Sequence, residues 1–235
     1  MRKLTIILMA AIMVVPFLQS CSTPLEQSDK VALVTVKKSL NSAGFYGVLD
    51  NGDKLYPGAM RVSYTPSNEL QRAIIYFSEL EEPREGYAYN ADVFNVAEIL
   101  TKKILPVHTA EADTLVNGIE ITQAWIGGGF LNVEFKVNVD QYGTTYVTAD
   151  LQDMLVDGPA EIENGYYPLE LGFKCYPDLE NGFGTTITSM ASFYIGDEYS
   201  LENLGCQGYK INYRSLASDG KNPEMHKLVT PDSEK

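Results

Sequence analysis

Apolar residues along this chain recur at every second position rather than every third or fourth, in short runs broken by glycine, proline, asparagine and aspartate. Residues 31–38 (VALVTVKK) and 45–49 (FYGVL) are β-branched and aromatic, the types that suit a pleated, half-buried sheet. Asp50-Asn51-Gly52-Asp53 follows the second run, and Asn-Gly between apolar runs predicts a type I′ hairpin with positive φ at both central residues. Further strands are predicted at 60–64 and 72–79, followed by a charged loop at 81–86. Residues 93–105 fit a helix through Val93, Ala97, Leu100 and Ile104, but equally a bulged strand through Phe94, Val96, Ile99 and Leu100. Strand is the preferred reading, and Pro106 stops either form.

The pattern lapses over 109–117, which marks a boundary between two modules, 31–110 and 111–216. Beyond it, strands are predicted at 119–126, 130–139, 144–149, 166–176, 185–195 and 208–214. Gly127-Gly128-Gly129, Asp157-Gly158, Asn164-Gly165 and Asn181-Gly182 supply the turns. Short antiparallel strands at this spacing predict a β-sandwich. Residues 217–235 return to polar composition with Pro223 and Pro231, and are expected to be a frayed tail.

The chain start carries a different signal. Met1-Arg2-Lys3 is positive, residues 4–17 are apolar, and Leu18-Gln19-Ser20-Cys21 has the layout of a bacterial lipobox. The apolar run falls short of the roughly 20 residues that span a bilayer, and Pro16 interrupts its end. Residues 1–20 therefore read as a lipoprotein signal peptide, cleaved before Cys21, whose sulfur takes the lipid. Each buried methylene of an acyl chain contributes about 0.8 kcal/mol, so several chains hold the mature protein at a membrane. Ser22, in place of the aspartate that retains such proteins at the inner membrane, favours the outer membrane of a Gram-negative cell envelope. Residues 21–30 read as a tether reaching about 30 Å.

Composition narrows the function. A net charge of −13 with no cluster of Lys and Arg argues against nucleic acid, whose binding runs on basic groups that release counterions. Fifteen tyrosines accord with a β-rich fold. With Cys21 acylated, Cys175 and Cys206 remain in an oxidising compartment; a disulfide between them would contribute roughly 3–4 kcal/mol, and two free thiols are the alternative. His108 and His226 are too few for a catalytic zinc site, and no Gly-x-Ser-x-Gly elbow or dinucleotide loop occurs. Glu134, Asp150, Glu161 and Glu170 read as solvated carboxylates, and Asp50 with Asp53 offers calcium too few oxygens. No catalytic residue, metal or cofactor is expected. Trp125, Tyr166 and Tyr167, with Tyr87 and Tyr89 in the first module, could stack on sugars or anchor a protein partner. Core packing is the commoner role for any one of these rings, and Trp125 in particular resembles a sandwich core residue.

Residues 34–38 (VTVKK), 44–57 (GFYGVLDNGDKLYP) and 99–104 (ILTKKI) resemble the first half of the NigD-like lipoproteins. Phe130-Leu131-Asn132 and Leu169-Glu170-Leu171 resemble recurring strands of that family's second half, although Gly172-Phe173-Lys174-Cys175 departs from the Arg-His found there in many relatives. The resemblance implies an all-β protein: an N-terminal OB-like barrel, then an immunoglobulin-like antiparallel β-sandwich. OB barrels bind oligosaccharides or oligonucleotides on one face, and the acidic charge points away from the latter. The expectation is a non-enzymatic, lipid-anchored envelope protein that binds an envelope protein or glycan. A bacteriocin-immunity role, which the family name implies, and a glycan hydrolase are the alternatives.

Overall fold

The computed structural model of the protein describes residues 29–39, 44–106, 118–140, 153–156, 162–172, 184–215 and 223–231. Five strands build the first half: β1 (Lys30–Lys38), β2 (Phe45–Leu49), β3 (Lys54–Met60), β4 (Gln71–Glu79) and β5 (Tyr89–Pro106). β1 pairs antiparallel with β2 and β4, β2 with β3, and β4 with β5, while β3 and β5 pair in parallel. The ring β1-β2-β3-β5-β4 closes on itself and has no free edge, which makes it an OB-type barrel. Alternation sends Val34, Val36, Phe45, Leu55, Ile75 and Val93 into its core. Residues 61–70 are fastened to the barrel where Tyr64 packs 5.1 Å from Phe45 and donates its hydroxyl to Glu98 at 2.9 Å.

Two local expectations are corrected here. The strand expected over 60–64 ends at Met60, and Pro66, which has no N–H to donate, cannot extend a ladder. The β2–β3 turn is not type I′: Gly52 takes a φ of 88° while Asn51 stays out of the left-handed region. Gly52 N donates to Leu49 O at 2.9 Å and Leu49 N to Asp53 O at 2.8 Å, the bonding of a type I turn closed by a glycine bulge. Residues 89–106 form a strand, with a bulge opposite Tyr76 and Phe77.

The second half comprises β6 (Glu120–Gly127), β7 (Phe130–Asp140), β8 (Asp153–Val156), β9 (Tyr166–Gly172), β10 (Gly184–Tyr194), β11 (Gly208–Arg214) and β12 (Glu224–Val229). A helix of one turn, α1 (Leu201–Leu204), is capped by Ser200 and closed by Gly205 at φ 65°. One sheet runs β6-β7-β10 and continues onto residues 100–103 of β5; the other runs from residues 104–106 of β5 through β8, β9 and β11 to β12. Ile121, Leu131, Val133, Phe135, Phe193 and Ile211 pack between the sheets. Tyr209 is fully buried and donates its hydroxyl to Tyr199 O at 2.5 Å.

The sandwich is mixed rather than uniformly antiparallel. β9 and β11 are parallel neighbours because β10, lying in the opposite sheet, intervenes between them in sequence. The polar tail is corrected too: residues 224–229 form β12 on β11, and Val229 is wholly buried in the core. β5 ends the barrel and opens the sandwich. The strand expected at 144–149 and the boundary expected at 109–117 lie outside the described residues.

Candidate functional site

Two features stand out from the ordinary packing. The first is a polar seam between barrel and sandwich. Trp125, Asn132, Ser192 and Thr101 are register partners in a row across β6, β7, β10 and β5. Alternation places this row opposite the core, where it would meet water, yet Asn132 and Ser192 are fully buried because the barrel covers them. Arg72 on β4 reaches into the row. Its side chain is 0% exposed, that of Asp50 in the β2–β3 turn 6%, and Nη2 meets Asp50 Oδ1 at 2.7 Å. Nη1 donates to Thr35 Oγ1 at 3.2 Å, Nη2 also to Asn132 Oδ1 at 3.4 Å, and the guanidinium lies 5.1 Å from the Phe130 ring centre. Thr101 Oγ1 accepts from Arg72 N at 3.0 Å, and Ser192 Oγ donates to Asn132 Oδ1 at 2.8 Å. Burial pushes the Arg72 pKa down and the Asp50 charge opposes that shift.

The β6–β7 hairpin supplies the other wall of the seam. A Cβ on Gly127 would lie 2.3 Å from Asp50 Oδ2, and one on Gly128, which has a φ of 61°, would lie 2.7 Å from Oδ1. The glycines let backbone run against the carboxylate. The seam is thus a structural joint, and every group in it is turned inward.

The second feature faces solvent. Phe45 and Leu55 point into the barrel, so Tyr46 on β2 and Tyr56 on β3 point out, next to Lys37 and Asn90 in register. Tyr87, from the loop between β4 and β5, inserts between them: its ring centre is 6.1 Å from that of Tyr46 and 5.2 Å from that of Tyr56, at interplanar angles of 79° and 55°. Arg84 of the same loop stacks 4.7 Å over Tyr56. The loop is pinned by Leu80 N to Asn90 O, Asn90 Nδ2 to Glu82 O, and Ala88 N to Lys54 O, at 2.8, 2.7 and 2.8 Å. This is the β2–β3 face and β4–β5 loop with which OB barrels contact ligands.

The residues singled out on sequence grounds fall elsewhere. Trp125 is 4% exposed, with Nε1 3.5 Å from Asp50 Oδ2, so it belongs to the seam. Tyr167 is buried beside Tyr199, and Tyr166 is half-buried on β9. Burial removes Trp125 and Tyr167 from any contact surface. Tyr87 is the member of that aromatic set found in the solvent-facing cluster; Tyr46 and Tyr56 escaped notice because they sit in runs that read as strand. Alternation against the buried Phe45 and Leu55 was the available signal. Cys206 is a half-buried free thiol, its pKa raised by burial, while Cys21 and Cys175 lie outside the described residues, as does His108. His226 is exposed on β12. Among the described residues no group of three or more His, Cys, Asp or Glu is placed to hold a metal ion.

These features define an all-β protein in which an OB-type barrel meets a sandwich through a buried polar seam and the shared strand β5. Residues 33–99, within the barrel, match the NigD-like N-terminal OB domain family. Among solved structures, a protein of unknown function from Bacteroides vulgatus is similar, with a TM-score of 0.66 and 25% identity, over 86% of this chain and 90% of that one. A NigD-like immunity protein from Bacteroides caccae matches with a TM-score of 0.62 and 20% identity, over 86% and 98%. A candidate lipoprotein from Bacteroides fragilis matches with a TM-score of 0.61 and 11% identity, over 88% and 99%. The last two show a shared fold. No curated protein matches the chain.

Proposed function

We propose that this protein is a lipid-anchored, non-enzymatic component of the Gram-negative cell envelope that works by binding an envelope protein or glycan through the tyrosine face of its barrel. The observation that carries this reading is the Tyr46–Tyr56–Tyr87 cluster, rings packed together on an outward face and topped by Arg84. Aromatic rings with a polar tip are the side chains that combine contact area with hydrogen bonding.

Anchoring rests on the lipobox that ends at Cys21, and residence at the outer membrane on Ser22. The name of the Bacteroides fragilis relative accords with it. The non-enzymatic reading draws on how acidic groups are engaged: Asp50 with Arg72, Glu79 with Lys30, Asp92 with Arg61, Glu98 with Tyr64 and Ser67, and Glu134 with Thr122. Carboxylates committed to partners in this way are poorly placed to serve as a free acid and base pair.

The test is a pull-down from envelope extract with the acylated protein in detergent. An envelope protein or glycan retained above a heat-denatured control is expected; retention no greater than that control overturns the reading. Intact-mass measurement checks the anchor: Cys21→Ala is expected to keep residues 1–20 and carry no acyl chain. A second reading, immunity against a secreted antibacterial protein, is favoured by the name of the Bacteroides caccae relative. It predicts that expression protects a sensitive strain.

A further inference from the structure

We infer that the tyrosine face takes a neutral glycan, laid across β2 and β3 beside the β4–β5 loop; this deepens, and rests on, the binding reading above. Two groups of tyrosines contrast among the described residues. Tyr209 is fully buried and Tyr64 half-buried against the barrel core, and both commit their hydroxyls, to Tyr199 O and Glu98 respectively. Tyr46, Tyr56 and Tyr87 pack ring against ring at the surface, and their hydroxyls have no hydrogen-bond partner among the described residues. Half-exposed aromatic rings beside uncommitted phenol hydroxyls match a pyranose, which presents C–H faces and a rim of neutral hydroxyls.

Size and charge separate this occupant from the alternatives. A stable protein interface covers about 800 Å² per partner, whereas three half-buried tyrosines and one arginine present a much smaller patch. Of the exposed large apolar side chains, Met60 is the last residue of β3, and Val31, Leu105, Ile162, Met225 and Leu228 lie on other strands or loops. An anionic polymer is opposed by the net charge of −13 and by Glu81, Glu82 and Glu85 in the loop that forms the face. The steep angles between the rings give a ridged surface, suited to a chain that turns from one sugar to the next. Lys37, Arg84 and Asn90 border it with donors for ring and hydroxyl oxygens.

The probe is the neutral polysaccharide fraction of the envelope, freed of protein by protease and of acidic polymer by anion exchange, then immobilised. The mature acylated protein, from Cys21 onward, is measured against it in detergent. Wild type is expected to be retained, and Tyr46→Ala/Tyr56→Ala/Tyr87→Ala to bind at least about tenfold more weakly. The corresponding triple Tyr→Phe protein, which keeps the ring packing, should fall between them, and Tyr166→Ala should match wild type. Circular dichroism confirms that each variant is folded. Absence of retention on the neutral fraction, retention confined to the acidic fraction, or binding unchanged in the triple alanine protein overturns the inference. If whole extract retains the protein but protease-treated extract does not, the glycan inference fails and the binding reading stands. If whole extract retains nothing, both fail.

Discussion

Arg72 holds a full positive charge where no water reaches it, and arginine cannot shed its proton near neutrality. Removing one partner of such a pair leaves the other charge uncompensated, which typically costs about 3–5 kcal/mol. Asp50→Asn is therefore expected to lower stability by about 3 kcal/mol, read as the shift in urea unfolding free energy. Gly127→Ala should reach much of the same loss by pushing Asp50 off Arg72, and the double variant should cost little more than Asp50→Asn alone. By contrast, Glu79→Gln, in the exposed pair with Lys30, should leave the unfolding curve unmoved. The parts of this joint were visible one at a time in the sequence: Asp50 as a turn residue, Gly127–Gly129 as a hairpin, Asn132 inside a family motif. Their convergence was not, because a charged residue on a strand reads as solvent-facing until another module covers it. The trace it leaves is lost alternation: Gln71, Arg72 and Ala73 are consecutively buried, and so are Phe130 to Val133.

At the scale of elements, the two glycine turns behave differently when filled. A Cβ on Gly52 meets nothing within 4 Å, so Gly52→Ala carries only the strain of a left-handed L-residue, about 1–2 kcal/mol in the same urea assay. β12 was missed because two of its central residues, His226 and Lys227, are polar, and prolines flank it at 223 and 231. A strand at the margin of a sheet needs few apolar residues to hold its place, and here the anchor is Val229. Val229→Ala should cost about 1–3 kcal/mol by the cavity it leaves against Tyr209, measured by thermal unfolding. Elsewhere β1, β2, β4, β6, β7, β10 and β11 fell where short runs rich in β-branched and aromatic residues are bounded by turn residues. Strand positions were legible; pairing was not, because the parallel β3–β5 and β9–β11 contacts join residues far apart in sequence.

Across the whole molecule, the seam and the shared strand β5 should make barrel and sandwich unfold together. Trp125, the single tryptophan, sits in the joint, so its fluorescence and far-ultraviolet circular dichroism are expected to give superimposable urea transitions. An earlier fluorescence transition would mean that the halves part before they melt. Alkali offers a second whole-molecule check. Burial holds the Tyr209 hydroxyl well above the ordinary tyrosine range, and burial with the Glu98 contact does the same for Tyr64. Unfolded tyrosines ionise near pH 10, so this stabilisation is complete below about pH 10 and is lost as pH rises further, with phenolate absorbance appearing as the fold is lost. The continuity of β5 also bears on how such proteins diversify. Exchange of halves between relatives cannot be made at the midpoint without cutting a strand whose first part pairs with β3 and β4 and whose last part pairs with β10 and β8. Variation between relatives should therefore fall in the loops and outward rings of a fixed chassis, with the halves inherited as a unit.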